Sequence, residues 1–266
     1  MEKFNENYTT YWQERVSKIS DGTKIADTEI ADIFLKFLNL TKDDLILDMG
    51  CSYGRFFNLL NTYSNHIVGI DIESSAIEKA KSFPYKQLEV SALEKTPFND
   101  NTFDAAFCWA TFDCTEQEEV LRETNRILKQ DGLFLVTGKN IFYNENDEKA
   151  FVAERNAKLK SFPNHFTDLK KLYEYIYEFG FKIEIGFGFE YRGDFGLAKS
   201  FILNDENIKN PFYEYLIILK KTGNVSHNNI SICDLFSETA KIESEKNGYT
   251  NPIDFFNFHY QKYGNN

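Results

Sequence analysis

The run Leu45-Ile46-Leu47 ends on an acid, Asp48, and leads through Gly50 and Gly54 into the helix-period stretch 54–63 (GRFFNLLNTY). A short apolar run that stops on a carboxylate, turns on glycine and continues as a helix is a strand–turn–helix corner. At the carboxyl edge of a parallel sheet such a corner forms the ligand crevice, and glycine lets backbone approach a ligand more closely than any Cβ would allow. The same alternation continues down the chain. Strand patterns fall at 66–71, 88–90, 103–109, 133–136, 181–186 and 213–219. Between them, Ser74 or Ser75 can cap a helix that Phe83-Pro84 ends, and Thr115–Glu118 reads as a capping box. The helix after that box repeats apolar residues at Val120, Leu121, Thr124, Ile127 and Leu128, with Asp131-Gly132 as its stop. Thr167 or Asp168 can cap a further helix running to Phe179, with Gly180 at its end.

Strands alternating with helices predict a doubly wound α/β fold with a mostly parallel, seven-stranded sheet. We expect one domain over residues 1–221, including an N-terminal helical lid over 1–40, and a C-terminal extension over 222–266. The aromatic tail of that extension, 253–260, can close the pocket, form a homodimer contact or patch the domain surface.

Charge and cysteine content narrow the partners. The chain has 30 Lys and Arg against 41 Asp and Glu, a net charge of −11. Such a surface repels phosphate backbones, which argues against nucleic acid and anionic membranes and for a small-molecule substrate. Cys51, Cys108, Cys114 and Cys233 are scattered without CxxC spacing, so they read as reduced thiols, neither disulfides nor a zinc site. No apolar run reaches the ~18–20 residues of a membrane span, and the start has no signal-peptide pattern, so the expected location is cytoplasmic.

A dinucleotide site would want G-x-G-x-x-G, and the string here is Gly50-Cys51-Ser52-Tyr53-Gly54-Arg55. A carboxylate at the strand end also suits a cationic ligand better than a phosphate. A second acid, Asp71, ends the next strand about 20 residues on, where a ribose-binding acid belongs.

At these residues the sequence resembles the class I S-adenosylmethionine-dependent methyltransferases, whose signature is D/E-x-G-x-G-x-G followed by an acid ending the second strand. The resemblance runs from about Leu45 to Leu219 and includes F-D-A-A-F at 103–107 and L-K-Q-D-G-L-F-L at 128–135. It implies S-adenosylmethionine as cofactor. On that pattern the Asp48–Gly54 loop, with Gly50, Cys51 and Ser52, holds the methionine moiety. Asp71, with Ile72 beside it, binds the ribose hydroxyls. Ser91, Ala92 and Leu93 flank the adenine, and Trp109 closes the fourth strand beside the cofactor. Tyr11 and Arg15 lie where family members fold a lid over the cofactor's carboxylate; the other reading is that Tyr11 and Trp12 anchor an amphipathic helix. Two departures stand out: Ser52 replaces the usual middle glycine, and Ser91 or Ala92 stands where many members have an adenine-contacting Asp.

The acceptor is less legible. After the fourth strand comes Trp109-Ala-Thr-Phe-Asp113, without the Asn/Asp-Pro-Pro-aromatic motif of nucleobase and glutamine methylases. The paired glutamates of arginine methylases are missing too. Asp113 and Asn140 do not make a metal-binding set, so no metal is expected. His165 is the candidate base; the alternative is a surface histidine bonded to the following helix start. Lys139, Arg155 and Arg192 are placed to hold an anionic substrate, or each is merely solvated. The expected activity is methyl transfer to a small polar metabolite, oxygen favoured over nitrogen. Whole-chain similarity to surface-glycan tailoring methyltransferases suggests a sugar, phosphoryl or phosphoramidate acceptor. An N-methyltransferase and a non-catalytic cofactor-binding subunit are the rivals.

Overall fold

A computed structural model of the protein describes residues 25–263 other than 163, 224 and 227. Tyr11 and Arg15, and most of the expected lid, lie outside the described residues. The strands are β1 (Leu45–Met49), β2 (His66–Asp71), β3 (Gln87–Val90), β4 (Phe103–Cys108), β5 (Leu128–Lys139), β6 (Phe166–Thr167), β7 (Phe181–Phe189), β8 (Phe201–Ile202), β9 (Glu214–Lys221) and β10 (Cys233–Asp234). The helices are α1 (Ile25–Leu35), α2 (Phe57–Tyr63), α3 (Ser74–Ala80), α4 (Gln117–Ile127), α5 (Glu148–Leu159), α6 (Leu169–Tyr175), α7 (Glu238–Lys246) and α8 (Pro252–Tyr263).

The main sheet has eight strands in the order β3-β2-β1-β4-β5-β9-β7-β8. The β1–β5 ladder is parallel, and β9 runs antiparallel to both of its neighbours. The eighth strand was not expected. It is a two-residue edge, Phe201–Ile202, that folds back on β7 and is too short to leave a periodic signal.

Side-chain alternation sends each strand to two cores. Leu47 and Met49 face the layer containing Val120, Leu121 and Ile127 of α4, while Ile46 faces α1 and α2 through Phe34 and Phe57. Asp48 and Asp71 therefore share the α2 face with Ile46 and Ile67. The α4 periodicity holds at Val120, Leu121, Thr124 and Ile127, all buried, but the helix ends there: Leu128, expected as its last apolar position, opens β5, ahead of the expected stop at Asp131-Gly132. Its expected capping box does not. The N-cap is Glu116, Thr115 Oγ1 donates to Phe112 O at 2.8 Å, and Glu118 accepts from Ile232 N at 2.6 Å. Glu118 ties the helix to the C-terminal segment instead of to its own first turn. Likewise Glu73, not a serine, caps α3, whereas Asp168 caps α6 and Gly180 ends the following turn at φ +73°.

Beyond residue 221 the chain returns to the domain. In it β10 pairs antiparallel with β6, and α8 packs on α5. Phe255 and Phe256 join Tyr143, Phe151, Phe166 and Tyr213 in a third core. His259 sits with its ring 4.6 Å from that of Phe255 beside this cluster. The carboxylate of Glu154, on α5, is wholly buried and accepts from Tyr143 Oη (2.6 Å), Ser237 N (2.7 Å) and Ser237 Oγ (2.6 Å). Among the described residues no helix is long and apolar enough to cross a membrane.

Candidate active site

The strand order reverses between β1 and β4, and a crevice must open there at the carboxyl ends of the strands. The structure has a cavity of about 1110 Å³ at that edge. Sites for one drug-sized ligand span roughly 300–1,000 Å³, so this cavity lies at the upper end of that range.

At one end, Gly50 (φ +74°) and Gly54 (φ +87°) hold the β1–α2 turn in left-handed backbone. An added Cβ at Gly50 would overlap the Thr111 side chain, and one at Gly54 would come within 2.5 Å of Phe83. Ser52 is also left-handed, at φ +51°, which is why a glycine serves this position in the family signature. The turn is pinned from below: Gly50 N and Cys51 N donate to Ile70 O at 2.8 and 2.9 Å.

Asp71 accepts from Ser52 N and Glu73 N, each at 2.9 Å, one on either oxygen. Each carboxylate oxygen keeps a lone pair for a ligand hydroxyl. Burial nevertheless pushes its pKa up, with the two backbone donors acting against that. Ile72 lines the cavity with 44% of its surface exposed, an apolar platform beside Ser91, Ala92 and Leu93. Gly50, Ser52, Asp71 and Trp109 also line it.

Asp48, Cys51 and Gly54 do not form the wall. Strand alternation turns Asp48 beneath the loop, where it is buried and accepts from Tyr85 Oη at 2.7 Å. Burial raises its pKa to about 7, with the Tyr85 bond opposing. Cys51 is buried, and the same desolvation keeps its thiol protonated.

The other end is polar and charged. Lys139 is ion-paired with Asp113, and its Nζ donates to Asn164 Oδ1 at 2.7 Å. Burial would lower the Lys139 pKa, but Asp113 outweighs it and the ammonium stays charged. Arg192 Nη1 donates to Tyr213 Oη at 2.8 Å, and its backbone N–H donates to Asp147 at 2.6 Å. Among the described residues no carboxylate pairs with its guanidinium. Glu214, opposite Lys139 in the β5–β9 ladder, also lines the cavity.

His165 and Arg155 are not in the wall. The His165 N–H donates to Asp113 O at 2.7 Å, and its Nδ1 lies 3.6 Å from Cys233 Sγ, so the imidazole faces the β6–β10 pair. It is a buried residue held neutral by desolvation, neither a base in contact with acceptor nor a surface histidine. On α5 the lining positions are Ala153, Asn156, Ala157 and Lys160, spaced three or four apart, and Arg155 falls off that face. Sequence reasoning missed Arg55, which lines the cofactor end ion-paired with Asp27, and Glu214. Neither carries a motif; only the fold brings them to the crevice. Among the described residues no group of three His, Cys, Asp or Glu side chains is placed to hold a metal ion.

A turn at the strand-order reversal, an acid at the next strand tip and an apolar platform beside it define an α/β nucleoside-binding domain. Residues 47–136 match the family model described as "Methyltransferase domain". The chain is 38% identical over 101 residues to an uncharacterized protein of Methanocaldococcus jannaschii, covering 37% of this chain and 38% of that one. It is 23% identical over 197 residues to a Triticum aestivum phosphoethanolamine N-methyltransferase, covering 69% and 37%. A putative methyltransferase from Haloferax volcanii, solved in complex with its Trm112 activator, superposes with TM-score 0.59 at 14% identity over 81% of this chain and 98% of that one. The chain spans between 38% and 52% of the first three curated relatives it matches. Residues 47–136 are thus similar to a methyltransferase domain, and S-adenosylmethionine is the cofactor that this similarity indicates. The cofactor end fits such a group: an acid with free lone pairs, an exposed apolar residue beside it, and a glycine turn where a Cβ has no room.

Proposed function

We propose that the chain transfers a methyl group from S-adenosylmethionine to a hydroxyl oxygen of a small, anionic acceptor. The observation that supports this best is one continuous cavity running from Asp71 and Ile72 to Arg192 and Glu214. In this reading Asp71 binds the ribose hydroxyls, Ile72 and Ser91–Leu93 flank the adenine, and the Gly50–Ser52 turn holds the methionine portion. Arg55, at the foot of α2, is the cation for the cofactor's carboxylate in exchange for Asp27. When bound, the cofactor supplies an electrophilic methyl on a sulfonium. The protein's part is to hold the acceptor atom roughly 3–3.5 Å from that carbon and to keep bulk water away.

Arg192 favours an anionic acceptor because its charge has no carboxylate partner among the described residues, whereas Asp113 already neutralises Lys139. A phosphorylated sugar, as in bacterial surface-glycan tailoring, satisfies that requirement. The wheat relative favours a second reading, N-methylation of an amine that carries an anionic group.

Calorimetric titration with S-adenosylhomocysteine tests the cofactor end. A panel of phosphorylated alcohols and amines, including glycerol 3-phosphate and sugar phosphates, tests the other end with methyl-labelled cofactor. Label in an ether or ester supports oxygen transfer, and label confined to N-methyl products overturns it. Absence of saturable heat at millimolar ligand overturns both readings.

A further inference from the structure

Among the described residues the acceptor end holds a half-buried carboxyl, Glu214, that no hydrogen bond or ion pair engages. Glu214 opens β9 at the carboxyl edge of the sheet and faces the cavity. Its carboxylate accepts no hydrogen bond from any described residue, unlike Asp48, Asp71, Asp113, Asp147 and Glu154, each of which is satisfied. A half-buried carboxyl without a partner is costly unless a ligand supplies one. The backbone of β9 is locked between β5 and β7, so the side chain is presented from a rigid strand rather than a loop.

The charged groups around it come from four elements: Arg192 after β7, Lys139 on β5, Asp113 after β4, and Asp147 before α5. Burial pushes the Glu214 pKa up to about 7. Arg192 and Lys139 pull it down, and Asp113 and Asp147 push it further up. A base that titrates near neutral pH is ionised in a useful fraction and still basic enough to accept a proton.

We infer that Glu214 is the general base of the transfer, accepting the proton of an acceptor hydroxyl whose anionic group is held by Arg192. This rests on the proposed methyl transfer. The acceptor oxygen forms its bond to the methyl carbon while the carbon–sulfur bond breaks, its electron pair staying on sulfur. The hydroxyl proton passes to a Glu214 oxygen, and the neutral carboxyl releases it to water once product leaves. Lys139, already paired, orients Asp113 and Asn164 and leaves the Glu214 carboxylate free.

The full chain is tested by two readouts. Carbon-13 NMR of protein labelled at the glutamate carboxyl carbons, compared with Glu214→Gln, isolates one resonance. A midpoint near 7 supports the assignment, and a midpoint in the ordinary glutamate range overturns it. On the panel alcohol that turns over fastest, Glu214→Gln lowers kcat by ~10²–10⁴-fold and removes the acidic limb of the pH profile. Glu214→Asp restores part of the rate, and S-adenosylhomocysteine binds all three proteins equally. A kcat within threefold of wild type with the limb intact overturns the inference, as does turnover confined to amines or absent from every alcohol. Failure of wild-type protein to bind S-adenosylhomocysteine refutes the cofactor reading instead, whatever the NMR midpoint.

Discussion

The two strand-tip aspartates are alike in sequence and opposite in placement, and neutralising each in turn separates their roles. Asp71 meets the cavity with a carboxylate that already takes one backbone N–H per oxygen. In Asp71→Asn the single Oδ1 keeps one of those donors, while the amide N–H₂ points at the other and at one ribose hydroxyl. A hydrogen bond to a charged group contributes ~1.5–3 kcal/mol and one between neutral groups ~1 kcal/mol. Losing one charged bond and weakening the second therefore costs ~2–4 kcal/mol of cofactor affinity. At 1.4 kcal/mol per factor of ten this is roughly a 30- to 700-fold rise in Kd for S-adenosylhomocysteine. Asp48→Asn makes no such loss, because Asp48 lies under the loop and an amide oxygen still accepts from Tyr85. Its Kd stays within about fivefold of wild type. Calorimetric titration of both variants at pH 7.5, with thermal unfolding to confirm folding, decides the matter. If Asp48→Asn weakens binding as much as Asp71→Asn, the assignment of Asp71 as the ligand-facing acid is wrong.

Other expectations follow from the same geometry. Asp48 has its folded-state pKa raised to about 7 from 3.8, so the stability it lends is complete below 3.8 and is lost as the pH climbs through 7. Asp48→Asn escapes that loss, so its Tm advantage over wild type grows between pH 5 and pH 8; a constant difference across that range refutes the buried titration. Glu154→Ala strips three buried donors of their acceptor and costs ~3–5 kcal/mol, read as a lower denaturation midpoint with faster amide exchange in α8. At Ser52, with φ +51°, glycine is accommodated with unchanged ligand affinity, while Ser52→Val costs ~1–2 kcal/mol of stability in a urea titration.

The proposed cofactor end is legible in the sequence because its residues are written in local order. Asp48, Gly50, Gly54 and Asp71 sit at fixed offsets from two apolar runs, and a strand–turn–helix leaves little freedom in what they form. Even there alternation hides a difference, since the strand tips do not say which carboxylate points under the loop. The helix caps were harder. Thr115–Glu118 has the letters of a capping box, yet Glu118 is engaged by Ile232 from the distant C-terminal segment, a contact no window of a few residues contains. His165 failed for the same reason. Its position before a helix suggested the acceptor pocket, and the β6–β10 pairing turned it toward Cys233.

That contrast has a physical basis in how the two halves of the cavity are built. The family match ends at residue 136, and every charged group assigned to the acceptor except Asp113 lies beyond it. The parallel strands β1, β2 and β4 carry the proposed cofactor end on backbone geometry common to any sheet of this order. The wall proposed for the acceptor is supplied by the last residues of β5, the face of α5, the segment after β7 and the first residue of β9. Its α5 face is in turn held by the C-terminal segment through Glu154 and the Phe255–Phe256 cluster. A cavity built this way can keep one cofactor while its acceptor changes, because replacing Arg192 or Glu214 leaves the β1–α2 turn untouched. The same construction means that loosening the segment beyond residue 221 shifts α5. Glu154→Ala should therefore raise KM for the acceptor while S-adenosylhomocysteine affinity holds. Equal losses at both ends would show instead that the two halves are one cooperative unit.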